Sequence, residues 1–91
     1  MLAKQAIREL KEEFSVDEVT FIKSREGVGC YEVFLSETYT DRTELEELIL
    51  FFTLMGTELL SVETWKDKWF EGTTWELKTV DGRELTIALE A

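Results

Sequence analysis

The sequence predicts a small α+β domain in which two helices pack on one face of an antiparallel sheet. Three observations lead to this class. Two segments place apolar residues at helical spacing, five segments are rich in β-branched and aromatic residues, and glycines fall between several of them. The predicted order is α-β-β-α-β-β-β, and the 91 residues form one domain, 1–91.

The first predicted helix covers residues 2–14, where apolar side chains recur every three or four positions and charged side chains fill the other side. Residues 19–24 are β-branched and aromatic, which predicts a strand. The two glycines within 25–29 predict a turn, and residues 30–36 are the predicted return strand.

The second predicted helix is unusually apolar. It begins after Thr40 or Asp41, because Glu44 follows at capping distance, and it ends at Gly56. One apolar face comprises Leu45, Leu48, Ile49, Phe52 and Met55. A second comprises Leu50, Phe51 and Leu54. A surface helix needs only one such face, so we expect the second to lie under the rest of the fold or under a partner subunit.

Three more strands are predicted after this helix, at residues 59–66, 73–79 and 83–90, with a turn at 71–72. A two-residue turn at Asp81-Gly82 would put the apolar residues of the last two strands on opposite faces. A three-residue loop with Gly82 left-handed shifts the register by one and aligns them. The expected pairs are Leu77 with Leu85 and Trp75 with Ile87.

The chain is strongly acidic, with a net charge of −10. Residues 35–64 hold seven acidic side chains and one basic side chain, Arg42, so this segment alone contributes −6. Such a surface repels nucleic acid and anionic membrane and favours basic partners. Solubility alone is the competing explanation of the charge, and part of it complements the dipole of the second helix.

The sequence contains no recognisable catalytic or cofactor motif. It has no histidine, which excludes Ser-His-Asp and Cys-His catalysis, and its carboxylates match no EF-hand spacing. Cys30, the one cysteine, is interpreted as a small packing residue. The glycines at 27–29 lack the lysine and helix start of a phosphate loop. We therefore expect no enzymatic activity, no cofactor and no metal.

Four aromatic residues lie close together in the sequence, interleaved with two lysines: Trp65, Trp69, Phe70 and Trp75. A stacking platform for single-stranded nucleic acid is one interpretation. Packing in the core and at strand edges is favoured, because the acidic chain around them repels phosphates. Exposure of Trp69 and Phe70 would instead indicate a hot spot for binding a protein.

These observations predict a small acidic protein–protein interaction module. In its sharpest form it is an inhibitor that mimics nucleic acid and blocks a basic DNA- or RNA-binding site on its target. Small phage anti-defence and anti-CRISPR proteins follow that logic, an analogy of size and charge only. The carboxylates assigned to this acidic face are Glu37, Asp41, Glu44, Glu46, Glu47 and Glu58.

The alternative is a self-assembling structural or accessory subunit, a homodimer through Leu50, Phe51 and Leu54, whose charge serves solubility. For either function the expected location is the cytoplasm, or the host cytoplasm for a viral chain. The longest apolar run is far below the roughly 18 residues of a membrane span. A lone cysteine fits a reducing compartment.

Overall fold

The structure is a computed structural model in which residues 1–23 and 29–91 are described. Two helices and five strands follow in the predicted order α-β-β-α-β-β-β. In chain order they are α1 (Ala3–Glu13), β1 (Glu18–Lys23), β2 (Gly29–Ser36), α2 (Arg42–Leu54), β3 (Glu58–Lys66), β4 (Glu71–Lys78) and β5 (Glu84–Glu90). Of the turn predicted at 25–29, residues 25–28 lie outside the described residues and Gly29 opens β2.

The five strands form one sheet in the order β1-β2-β5-β4-β3. Neighbouring strands are antiparallel except β2 and β5, which run parallel. The expectation of a purely antiparallel sheet is therefore wrong at this one pairing. Its cause is α2, a crossover helix that lets β3 start in the same direction as β2. Two reversals later, β5 runs in that direction again and enters the centre of the sheet.

Both helices pack on the same face of the sheet and share one hydrophobic core. The helices contribute Ala6, Ile7, Leu10, Leu45, Ile49 and Phe52. The strands contribute Val33, Leu35, Trp75, Leu77, Leu85, Ile87 and Leu89. Because successive strand residues point to opposite faces, the strand positions that alternate with these residues face away from the helices. We call that uncovered side of the sheet the open face.

The register of the last hairpin is confirmed. Leu77 pairs with Leu85 and Trp75 with Ile87. The backbone N–H of Thr79 donates to the carbonyl of Arg83 at 2.9 Å, which closes the three-residue loop. Gly82 has a φ of 78°, the left-handed conformation that glycine adopts without strain.

The turn expected at 71–72 lies earlier in the chain, between β3 and β4. Asp67 makes it, since its Oδ1 accepts hydrogen bonds from the backbone N–H of Trp69 at 2.8 Å and of Phe70 at 2.7 Å. This is the local side-chain bonding by which aspartate initiates turns. Gly72 is instead a strand residue, where a side chain would collide with the Trp65 ring and the carbonyl of Leu89.

The ends of α2 follow the sequence closely. Asp41 is the N-cap, and its Oδ1 accepts from the N–H of Glu44 at 3.1 Å. Gly56 has a φ of 96° and follows the C-cap. The N–H of Thr57 reaches the carbonyl of Phe52 at 2.9 Å, and that of Gly56 reaches Thr53 at 3.2 Å. This pair of backbone hydrogen bonds is a Schellman motif.

Candidate protein-binding surfaces

The open face of the sheet is lined with carboxylates. The strand registers place seven glutamates on it: Glu18, Glu32, Glu58, Glu63, Glu76, Glu84 and Glu90. Among the described strand residues, Lys78 is the basic side chain on this face, and it lies between Glu84 and Glu58 on the neighbouring strands. The open face therefore bears a large excess of negative charge.

Small side chains occupy the middle of the open face, and carboxylates flank them. Thr86 on β5 lies between Glu32 on β2 and Glu76 on β4. These two glutamates are two strand spacings apart, about 10 Å. The Oγ of Ser61 donates to Glu76 Oε2 at 3.2 Å. Phe34 and Trp65 also lie on the open face, so carboxylates and aromatic rings share a surface that suits contact with a broad basic partner rather than enclosure of a small ligand.

Cys30 lies on this face beside Thr86, with its Sγ 3.9 Å from Thr86 Oγ1. Burial raises the pKa of the Cys30 thiol, the hydrogen bond with Thr86 opposes this as the next largest influence, and the nearby Glu84, Glu32 and Glu76 each add a smaller rise. The uncharged thiol is therefore favoured, and this environment opposes nucleophilic chemistry at Cys30.

The carboxylates singled out from the sequence fall into separate places. Glu37 lies in the loop that follows β2. Asp41 comes after that loop and caps α2. Glu44 and Glu47 line a groove with Glu13 at the end of α1. The other two lie apart from these. Glu46 is on the β3 side of α2, 2.8 Å from Arg42 Nε, and Glu58 is at the far end of the molecule, on the open face.

The second apolar face of α2 is exposed to solvent rather than covered by the rest of the chain. Leu50 is 60% exposed and Leu54 is 77% exposed, and Phe51 is also exposed. Phe51 lies toward α1, in the groove with Glu13. Leu50 lies toward β3, in a groove of about 370 Å³ that Leu59 and Val62 also line.

The aromatic residues divide between core and surface. Trp75 is buried in the core, and Trp65 is half-buried with its Nε1–H donating to Thr74 Oγ1 at 2.9 Å. Core packing is wrong for the other two, because Trp69 is 77% exposed and Phe70 is 55% exposed at the tip of the β3–β4 turn. Lys68 Nζ lies 5.1 Å from the centroid of the Trp69 ring, within cation–π range.

The turn that presents Trp69 and Phe70 is held by its own hydrogen bonds. The backbone N–H groups of Phe70 and then Trp69 lower the pKa of the Asp67 carboxyl, because both donate to its charged form. Two large aromatic side chains thus project from an ordered turn, which is how protein-binding anchors are commonly presented.

Of the seven open-face glutamates, sequence reasoning singled out Glu58 and missed the other six. Each alternates with apolar neighbours, so the strand period was visible in the sequence. Their convergence was not visible, because it depends on the strand order and on both helices covering the same face.

Metal and membrane signals are absent from the part of the chain that the structure describes. Within residues 1–23 and 29–91, no group of three or more His, Cys, Asp or Glu side chains could hold a metal ion. No helix among the same residues is long and apolar enough to cross a membrane. Comparison of the whole chain with protein-family models and with curated proteins found no match.

Proposed function

We propose that this protein is a non-catalytic binding module that docks its acidic open face on a basic protein. One observation supports this above the others. One whole side of the sheet is uncovered, and among its described residues are seven glutamates and one lysine, Lys78. Open sheet faces in small domains normally mix both charge signs or are covered. The charge on this face exceeds what folding needs.

The physical basis of binding is electrostatic. The open-face carboxylates stand on rigid strands, so a partner's Lys and Arg side chains meet preorganised charges with little ordering cost. Long-range attraction would also speed the encounter with a basic partner. Because exposed ion pairs are screened by salt, affinity should fall as ionic strength rises.

In its specific form the partner is a nucleic-acid-binding protein, and this protein inhibits it by imitating nucleic acid. The open-face glutamates are spread over all five strands, and Glu32 and Glu76 stand about 10 Å apart on either side of Thr86. Negative charge held at fixed positions over a broad surface fits sites built to hold a polyanion, while it repels nucleic acid itself. Such an inhibitor would act in the cytoplasm, or in the host cytoplasm for a viral chain.

Trp69 and Phe70 provide the second contact in this proposal. They lie at the tip of the β3–β4 turn, at one end of the same sheet. Aromatic side chains supply much of the binding energy in protein interfaces, whereas exposed charges mainly set encounter rate and specificity. The carboxylates would orient the partner, and the aromatic pair would anchor it.

The test compares two variants of equal charge. The open-face variant carries Glu18→Gln, Glu32→Gln, Glu63→Gln and Glu76→Gln. The control variant carries Glu12→Gln, Glu13→Gln, Glu44→Gln and Glu47→Gln, all on the helices. Proteins captured from source-cell lysate at about 50 mM salt and released at about 500 mM are purified, and their affinities and displacement of bound nucleic acid are measured.

The proposal predicts that the open-face variant, which loses four carboxylates, binds about fourfold to 1,000-fold more weakly, since each exposed ion pair contributes roughly 0.2–1 kcal/mol, and that the control variant keeps its affinity. A complex indifferent to salt would contradict the electrostatic mechanism. Equal losses in both variants would show that net charge, rather than the open face, determines binding.

A further inference from the structure

The central strand of the sheet, β5, leaves a strip of the open face without large side chains. Between Glu84 and Glu90, its residues on this face are Thr86 and Ala88, and both are partly exposed. We call the strip over Thr86 and Ala88 the central lane. The positions that flank it on the two neighbouring strands are Glu32 and Phe34 on β2, and Glu76 and Thr74 on β4.

Aromatic rings flank one end of the central lane. Phe34 on β2 lies directly beside Ala88. On the other side the Trp65 ring lies over Gly72 of β4, at the place where any other residue would carry its side chain. The Trp65 Nε1–H donates to Thr74 Oγ1 at 2.9 Å, and Thr74 is the β4 neighbour of Ala88. The indole therefore reaches across β4 toward the lane.

Carboxylates flank the other end of the lane. Glu32 and Glu76 lie on either side of Thr86, about 10 Å apart. Ion pairs within the part of the chain that the structure describes lie elsewhere: Arg42 with Glu46, Lys66 with Glu71, and Arg83 with Asp81. Since these pairs do not involve Glu32 or Glu76, both carboxylates are available to a cation that a partner brings.

We propose that the central lane is a subsite for one arginine side chain of the basic partner. The aliphatic stem lies over Ala88 between the two aromatic rings, and the guanidinium lies over Thr86 between the two carboxylates. Thr86 and Ala88 are two residues apart on one strand, about 6.8 Å, which is close to the reach of an arginine side chain. This inference rests on the proposed function, because it names the side chain that the open face selects.

The lane favours arginine over lysine for two reasons. A guanidinium has five N–H donors on a planar group, so it can pair with a carboxylate on each side, whereas an ammonium is a compact point charge. A guanidinium also stacks on aromatic rings and is less strongly hydrated. Nucleic-acid-binding proteins use arginine because the same fork pairs with phosphate, so the proposed partner class supplies the side chain that the lane fits.

Two other glutamates of the open face provide a matched comparison. Glu18 and Glu63 lie on the edge strands β1 and β3. Their neighbours in the sheet are Phe34 and Thr74, so each is one strand further from β5 than the residues that flank the lane. Glu18 and Glu63 attract any cation, and they do not border the lane.

The test uses hexa-arginine and hexa-lysine peptides of equal charge, with affinities measured by calorimetry at about 50 mM salt. The wild type should bind hexa-arginine roughly twofold to fivefold more tightly, as expected for a cation–π contact at an exposed site. Glu32→Gln with Glu76→Gln should lower this ratio toward one, and so should Phe34→Leu, which leaves the charge unchanged. Glu18→Gln with Glu63→Gln should weaken both peptides and keep the ratio.

The position of the bound peptide is read from two-dimensional NMR spectra. On addition of hexa-arginine, the Trp65 indole N–H and the amide of Ala88 should shift more than the indole N–H of Trp69. Circular dichroism melts confirm that the variants fold. Equal affinity of the wild type for both peptides, or an equal fall of the ratio in both double variants, would overturn the arginine subsite and leave basic-partner docking intact. Failure of both peptides to bind at low salt would overturn both proposals.

Discussion

The two helices pack on the same side of one sheet, yet they use their apolar residues differently. Helix α1 buries Ala3, Ala6, Ile7 and Leu10 in the core. Helix α2 buries Leu45, Ile49 and Phe52 and leaves Leu50 and Leu54 exposed. The apolar content of α1 matches what the core requires, and that of α2 exceeds it. The excess lies beside an edge strand, where it can contribute to an interface.

The helices also differ in how their N-termini are satisfied. Asp41 caps α2 from the adjacent position in the chain. Helix α1 begins after Leu2, which offers no capping side chain. Its first N–H, that of Ala3, donates instead to Oδ1 of Asp81 at 3.3 Å, from the distant β4–β5 loop. The start of α2 is held locally, whereas that of α1 combines a local bond, from Leu2 N–H to Gln5 Oε1 at 2.8 Å, with the distant one from Ala3.

The largest expected effect separates core from surface on these helices. Leu10→Ala on α1 should lower the free energy of unfolding by about 2–5 kcal/mol, because Leu10 is fully buried. Leu54→Ala on α2 should change that of the monomer by no more than about 0.5 kcal/mol, because its side chain is exposed. Urea unfolding at low protein concentration measures both. Comparable losses would erase the difference between the helices.

A smaller effect is expected at the local cap. Asp41→Ala removes the oxygen that accepts from Glu44 and should cost about 1 kcal/mol of stability. Asp41→Ser keeps an N-capping oxygen and serves as the control. Both are measured by chemical unfolding, and an unchanged midpoint for Asp41→Ala would show that the fold holds the start of α2 without it.

The distant cap should be visible through its pH dependence. Burial, the largest single influence, raises the pKa of Asp81, but hydrogen bonds from Thr79 and backbone N–H groups, with Arg83 nearby, together hold it below its usual value. A lowered pKa in the folded state stabilises the fold above the unfolded pKa of about 3.9, and this contribution is lost as pH falls through the folded pKa.

Asp81→Asn removes that titration. The wild type should therefore be the more stable protein near neutral pH, and the gap between the two should narrow as the pH drops below about 4. Thermal melts of both proteins from neutral to acidic pH measure the gap. A gap that stays constant across the range would show that the charge of Asp81 contributes nothing to folding.

Local sequence patterns predicted the helices and strands and the register of one strand pair, β4 with β5. The order of helices and strands, the Gly56 cap and the hairpin pairs Leu77–Leu85 and Trp75–Ile87 all rest on interactions between neighbours in sequence. The parallel pairing of β2 with β5 could not be found this way, because it depends on which sheet edge the chain reaches after α2. Without strand order, no reading of the glutamates could assemble them on one face.

The site predictions were limited in the same way, because they too depend on the tertiary structure. From the sequence, exposure of Trp69 and Phe70 was only the condition for a protein-binding hot spot, and the position of the 67–70 turn meets that condition. Asp67 was the available signal, since aspartate initiates turns, but the more conspicuous Gly72 drew the predicted turn toward it. The second face of α2 was identified from periodicity, and its exposure required the tertiary structure.

The position of β5 has a consequence for how the molecule folds. This strand joins two halves that can each form early from nearby residues, the β1–β2 and β3–β4 hairpins. Cys30 pairs with Glu84, more than half of the chain further along the sequence. Closing so long a loop is slow, so β5 insertion should limit the folding rate. Until it occurs, the inner edge of β2 and the free edge of β5 in its local hairpin with β4 stay open, and the slowest step of folding coincides with the greatest exposure to mispairing.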